Sequence, residues 1–350
     1  MTGSYFIRIS VLVTTLALTL LFFVSGAVGS DGDESASEPS LAATLRARRA
    51  LIAKQKEKER RAQIQERIRG NPAPDVSAEA FIVRLLDDEM PIVSRRVVKT
   101  LSPASITKLL TAVVARDNIG EGVWIPMTSD AKRVEEKRSN AQAGDSFMRD
   151  DLLTLMLVGS ANDAALALAE ETGRLLGGND FNERIRLFTR LMDDKARAIG
   201  LRQSSFDNPT GLDDNPPPGC FETSQASGAS SSCPMAIGHP ETTAEDLGRL
   251  AAYILHQYPF IFDITQKIES AITADNGRSV RVETTNKLLT EFDRIRGGKT
   301  GFTDSAGETL LLVYTLPNGE TAIIVLLRSA DRFDDATQLL RWLDEVFRER

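Results

Sequence analysis

Two side chains that could share a proton stand three residues apart in LSPASITKLLTA (101–112): Ser105 and Lys108. A serine hydroxyl is a weak nucleophile until a base takes its proton, and a lysine serves as that base when burial holds its amine neutral. Read as a helix start, Ser102 fits the N-cap and Pro103 the first helical position, where its missing N–H costs nothing. Ser105 then falls in the first turn, with an uncommitted backbone N–H, and Lys108 lies over the same face. Ile106, Leu109, Leu110 and Val113 cover the other faces and bury the helix. The free N–H groups and the helix dipole favour an oxyanion close by. Alone, the pattern is weak, and a capped core helix is the plainer reading. Ser129-Asp130-Ala131-Lys132 repeats the spacing with no apolar helix around it.

Two further stretches change that balance. Ser160-Ala161-Asn162 falls at a break after an apolar run, where polar side chains can face a cleft, although alone a helix cap with Asp163 behind it is the plainer reading. Gly297-Gly298-Lys299-Thr300-Gly301 precedes a hairpin. It is no phosphate-binding loop, because the glycine that G-x-x-x-x-G-K-[ST] requires is replaced by Asp293. On a strand edge, Lys299-Thr300-Gly301 would offer a cation, a hydroxyl and close backbone approach to an extended ligand. Histidine is scarce: only His239 and His256 exist, and no nucleophile elbow accompanies them. A nucleophilic enzyme here would take its base from lysine.

Ser-x-x-Lys, Ser-x-Asn and Lys-Thr-Gly, in that order, are the motif set of the penicillin-recognising serine enzymes. With PASITKLLTA, GSANDAA, NPTGL, HPETTAEDLGRLA, TNKLL, GGKTGFTDSAG and DRF, the chain closely resembles the low-molecular-mass D-alanyl-D-alanine carboxypeptidases and their endopeptidase relatives, from about 78 to 348. The resemblance implies that Ser105 is acylated, that Lys108 is its base and that Ser160 relays a proton to the leaving D-alanine. Asn162 would hold the substrate amide and Lys108. Lys299 would tune the site, Thr300 would bind the terminal carboxylate beside Gly301, and Phe302 would give the second oxyanion N–H. Arg332 matches an arginine that anchors the carboxylate; an ion pair with Asp334 or Asp335 is the alternative. Peptidoglycan stem peptides would be the substrates and β-lactams acylating inhibitors, with no metal or cofactor needed. A class A β-lactamase would carry Ser-Asp-Asn where this chain has Ser-Ala-Asn. An endopeptidase acting on D,D cross-links is a closer rival, and a binding module with a dead site is disfavoured because every motif position is filled.

The elements that must position these residues are legible in outline. AFIVRLL (80–86) and PIVSRRV (91–97) read as a hairpin, and GETLLLVYT (307–315) and ETAIIVLLRS (320–329) as another around Asn-Gly. Helices are expected after Ser102, on both sides of Gly159-Ser160, over 178–199, over 242–257 with Thr242 or Thr243 as cap, and over DDATQLLRWLDEVFRE. Strands at both ends with helices between predict an α+β domain whose antiparallel sheet joins its termini; the resemblance sharpens this to a β-lactamase/DD-peptidase-like fold with a helical subdomain. The organisation reads as a signal peptide or membrane anchor (1–29), an acidic linker and basic helical stalk (30–72), and a catalytic domain (73–350) with a long insert at 213–240.

The N-terminal segment holds Arg8 as its only charge before Asp31, which predicts export. Residues 46–69 hold ten Lys/Arg and three Glu, whereas the whole chain carries −7. The body is therefore acidic, which argues against nucleic acid. The stalk would be solvated and could touch anionic polymers or headgroups. A retained anchor would, by the positive-inside rule, favour those basic residues in the cytoplasm, which conflicts with export. Cys220 and Cys233 lie in the insert; in an oxidising compartment a disulfide between them would contribute about 3 kcal/mol. No second Cys or His pair has zinc-ligand spacing.

Overall fold

Apolar runs without polar alternation, LLLVY at 310–314 and AIIVLL at 322–327, specify strands buried on both faces. The computed structural model describes residues 41–348, except 89, 135 and 214–238. The strands are β1 (Ala80–Leu85), β2 (Val93–Arg95), β3 (Trp124–Pro126), β4 (Ser146–Met148), β5 (Glu269–Thr273), β6 (Ser279–Glu283), β7 (Ile295–Thr303), β8 (Gly307–Thr315) and β9 (Thr321–Ser329). Five of them form an antiparallel sheet in the order β2-β1-β9-β8-β7. Pairing of β1 with β9, with Phe81 opposite Leu326, joins the two ends of the domain as expected.

Alternate residues of this sheet serve two cores. Ile82, Leu311, Val313, Ile323 and Val325 face one side, where they meet the helices of the middle of the chain. Phe81, Val83, Leu310, Leu312, Ile324 and Leu326 face the other. There the closing helix Arg332–Val346 lays down Leu339, Leu340 and Leu343. Asp331 caps that helix, accepting from the Phe333 and Asp334 N–H groups. The helical side is built from Lys108–Asn118, Arg149–Val158, Asn162–Leu175, Phe181–Ile199, Ala244–Gln257 and Phe260–Thr265. The break at Gly159-Ser160 and the Thr243 cap, which accepts from Asp246 N, fall where the sequence puts them. The small pairs β3–β4 and β5–β6 are too short or too exposed for a period-2 signal.

The chain divides into two compact units at Arg61/Ala62. The helix Leu41–Gly70 has no buried residue. Its last turns belong to the second unit, where Ile64 and Ile68 pack on the outer core, Arg67 donates to the Val346 carbonyl (3.1 Å) and Trp342 donates to the Asn71 carbonyl (2.8 Å). That unit therefore begins before 73, the expected boundary. Among the described residues no helix is long and apolar enough to cross a membrane. The expected leader or anchor at 1–29, the acidic linker up to residue 40 and the Cys220–Cys233 pair lie outside the described residues.

Candidate active site

The stretch that holds Ser105 begins as a single 3-10 turn, Ala104–Thr107, which runs into the helix Lys108–Asn118. Its cap is Pro103, without a side-chain capping bond, rather than Ser102. Ala104 is the reason. Its φ of +48° bends the chain between Ser102 and Ser105, and the Ser102 hydroxyl reaches only the Ala104 N–H, at 3.4 Å. A non-glycine residue in this region is strained, and such strain collects at functional sites. Ser160, with φ +60°, is the second case.

The Lys108 side-chain nitrogen lies 2.8 Å from the Ser105 hydroxyl oxygen, within hydrogen-bond reach, and donates to the Thr210 carbonyl at 2.6 Å. Lys108 is fully buried. Burial, aided by the charge of Lys137 and opposed by that of Asp163, pulls its pKa well below the usual lysine range. A second lysine–serine pair stands nearby: Lys299 donates to the Ser160 hydroxyl (2.8 Å) and to the Thr300 carbonyl (2.9 Å). Burial is again the main cause of a strongly lowered pKa, followed by the Lys108, Lys137 and Arg332 charges.

Strand β7 comes close to the Ser105 turn because Gly301 has no side chain. A methyl there would sit 2.4 Å from Thr309 Oγ1 and 2.9 Å from both Ala104 Cβ and the Ser105 nitrogen. Thr309 in turn donates to the Pro103 carbonyl at 3.0 Å, tying β8 to the same turn. Phe302, next along β7, leaves its ring exposed. Thr300 Oγ1 lies 2.5 Å from Thr285 Oγ1. Arg332 is held by a bond from Nη1 to the Gly301 carbonyl (2.7 Å) and stacks on Phe333. No ion pair joins it to Asp334 or Asp335, so that alternative falls; Asp335 is occupied by Ser77, Ala78 and Ser329. Burial lowers the Arg332 pKa, with Glu308 and Asp331 opposing.

Asn162 departs from expectation. It makes no bond to Lys108; its Nδ2 donates to the Glu136 carbonyl and its backbone N–H to the Lys137 carbonyl, both at 2.8 Å. Its buried Oδ1 has no partner, an acceptor aimed at nothing within the described chain. The carbonyl that Lys108 uses instead, Thr210, comes from NPTGL. There Asn208 Oδ1 accepts from the Thr210 and Gly211 N–H groups (3.0 and 2.7 Å). Gly211, at φ +82°, approaches the Ala104 carbonyl so closely that a Cβ would lie 1.9 Å from it. The decoy Lys132 is spent on the buried Asp163, at 2.6 Å. Sequence reasoning also missed a cluster beside β7. Asp213 accepts from Thr303 Oγ1 and Ser305, and His239 lies between Ser305 and Asp213. These contacts tie Asp213 and His239 to the Thr303–Ser305 turn after β7. Among the described residues no cluster of three His, Cys, Asp or Glu could hold a metal.

Two buried Lys–Ser pairs, Lys108–Ser105 and Lys299–Ser160, are an arrangement suited to serine acyl transfer. The match of residues 68–330 to the D-alanyl-D-alanine carboxypeptidase family model then places the chain in that family of serine peptidases. A D-alanyl-D-alanine endopeptidase of Pseudomonas aeruginosa is 29% identical over 248 residues, 69% of each chain. A protein of the same description from Escherichia coli is 26% identical over 77% of this chain and 78% of its own. A solved D-alanyl-D-alanine carboxypeptidase of Mycobacterium tuberculosis superposes with a TM-score of 0.62 at 25% identity, covering 77% of this chain and 92% of that one. A Streptomyces DD-transpeptidase, at TM-score 0.65 and 21% identity over 77% and 98%, shares the fold.

Proposed function

We propose that the chain removes the terminal D-alanine from peptidoglycan stem pentapeptides through an acyl-enzyme on Ser105. The observation that carries this is the 2.8 Å bond from a fully buried Lys108 to the Ser105 hydroxyl. The neutral amine takes the hydroxyl proton as Oγ attacks the carbonyl of the penultimate D-alanine. The oxyanion is received by the Ser105 and Phe302 N–H groups, which Gly301 lets approach each other. Ser160, aligned by Lys299, relays to the departing amine the proton that Lys108 took from Ser105, so that Lys108 is neutral again. Thr300, Lys299 and Arg332 bind the terminal carboxylate as charge-assisted partners. The open Oδ1 of Asn162 accepts the substrate amide N–H. Water then attacks the ester and restores Ser105. β-Lactams acylate the same serine.

A second reading, hydrolysis of D,D cross-links by the same chemistry, is supported by the descriptions of the Pseudomonas and Escherichia relatives. Release of D-alanine from a pentapeptide, measured beside cleavage of a cross-linked dimer, decides between them. Release from the pentapeptide at the higher kcat/KM supports the carboxypeptidase; cleavage of the dimer alone overturns it in favour of the second reading. The substrate places the enzyme outside the cytoplasm, and the 1–29 segment is the proposed export signal or anchor. A fusion lacking residues 1–29 should stay in the cytosolic fraction.

A further inference from the structure

Four basic side chains lie in and around the site: Lys108, Lys299, Arg332 and Lys137. The last has no place in the three motifs. It lies in a segment held at two points by Asn162, which donates from Nδ2 to the Glu136 carbonyl and from its backbone to the Lys137 carbonyl. Lys137 itself adopts φ +41°, a costly conformation for a residue with a side chain. Its charge is felt by Lys108 and Lys299, and Arg332 is the charge that acts most on Lys137. The residue is exposed overall, yet its ammonium is crowded enough that partial desolvation, then Arg332, draw its pKa down. Among the described residues that ammonium makes no hydrogen bond and no ion pair, whereas Lys132, five residues earlier, is committed to Asp163. A strained, clamped and unpaired cation that feels the charge of Arg332 is costly unless an anion joins the two.

We propose that Lys137, held beside Ser160 by Asn162, is a specificity-determining residue that joins Arg332 at the carboxylate site, binding the free carboxylate of the leaving group. The inference rests on the acyl-transfer reading above and extends it. Lys299, Thr300 and Arg332 bind the anion from β7 and the start of the closing helix, and Lys137 adds a charge from the segment that Asn162 holds. A leaving group with a free carboxylate is thereby preferred over one whose carboxyl is an amide. Lys137 binds substrate and takes no proton from the reacting atoms.

The test uses the full chain and two matched peptides, one ending in D-Ala-D-Ala with a free carboxylate and one with that carboxyl amidated. Lys137→Asn removes the charge and tolerates the left-handed backbone; Lys137→Arg restores a cation. The wild-type preference in kcat/KM for the acid should fall about ten-fold or more in Lys137→Asn, through KM, and return in Lys137→Arg. If Lys137→Asn lowers stability, Lys137→Gly, which relieves the φ strain, should show the same loss of preference. A preference that stays at the wild-type value in both neutral variants overturns the proposal. So does an equal loss on acid and amide. Labelling of each variant by a fluorescent penicillin separates the two layers. Labelled wild type with an unmoved preference refutes Lys137 alone, whereas unlabelled wild type refutes the acyl-transfer reading beneath it.

Discussion

Gly301→Ala tests whether catalysis depends on the approach of β7 to the nucleophile. The added methyl meets Thr309 Oγ1 at 2.4 Å, and Ala104 Cβ and the Ser105 nitrogen at 2.9 Å each. Ordinary contact begins near 3.4 Å, so β7 and the Ser105 turn must part by about 0.5 Å. Neither Ser105, Lys108, Ser160 nor Lys299 is altered, and the 2.8 Å proton path from Ser105 to Lys108 lies within one turn that can move as a unit. What separates is Ser105 from the backbone that follows Gly301, the proposed second oxyanion donor. Loss of one such donor costs about 10²–10³ in rate. Overpacking costs about 1–3 kcal/mol of stability, which leaves the domain folded. Stopped-flow acylation by a fluorescent penicillin should therefore slow about 100-fold in Gly301→Ala, with circular dichroism unchanged. Wild-type acylation in a folded Gly301→Ala protein would refute the argument that the bare backbone at 301 sets the oxyanion geometry.

Other expectations follow from the buried charges. Lys108 works as a base only when neutral, so acylation should fall as pH drops through its lowered pKa; an acid limb absent down to pH 4 would contradict that role. The same shift makes stability depend on pH. From 10.5 downward the unfolded lysine binds a proton that the folded one refuses, so this group's penalty grows as pH falls. Urea melts should show wild type gaining on Lys108→Met as pH rises towards 10.5. Asp335 accepts from Ser77 N, Ser77 Oγ, Ala78 N and Ser329 Oγ, joining the closing helix to the start of β1. Asp335→Ala strands these buried donors and should cost about 3 kcal/mol or more in denaturant melts.

What could be read from sequence was what depends on spacing. A helical turn puts residues three apart on one face, so the Ser105–Lys108 pair was visible from LSPASITKLLTA, and two strong apolar runs at the end of the chain announced the central sheet. What depends on a long-range approach was hidden. Thr210 reaches Lys108 only because Gly211 lets its loop press on Ala104, and no local pattern records which carbonyl will be spare. Lys137 looks like one more lysine in a charged surface run; its backbone conformation and the hold of Asn162 set it apart. Ser102 misled because capping preference assumes an ordinary backbone, which the positive φ of Ala104 breaks. The pairing of Ser160 with Lys299 joins motifs 139 residues apart and needed the fold.

The central claim is that Ser105 is the acylated residue. Intact-mass analysis and peptide mapping after exposure to penicillin test it most directly. The account predicts one adduct per chain, located on the peptide that contains Ser105 and absent from Ser105→Ala. An adduct on another residue, or one that persists in Ser105→Ala, would contradict it.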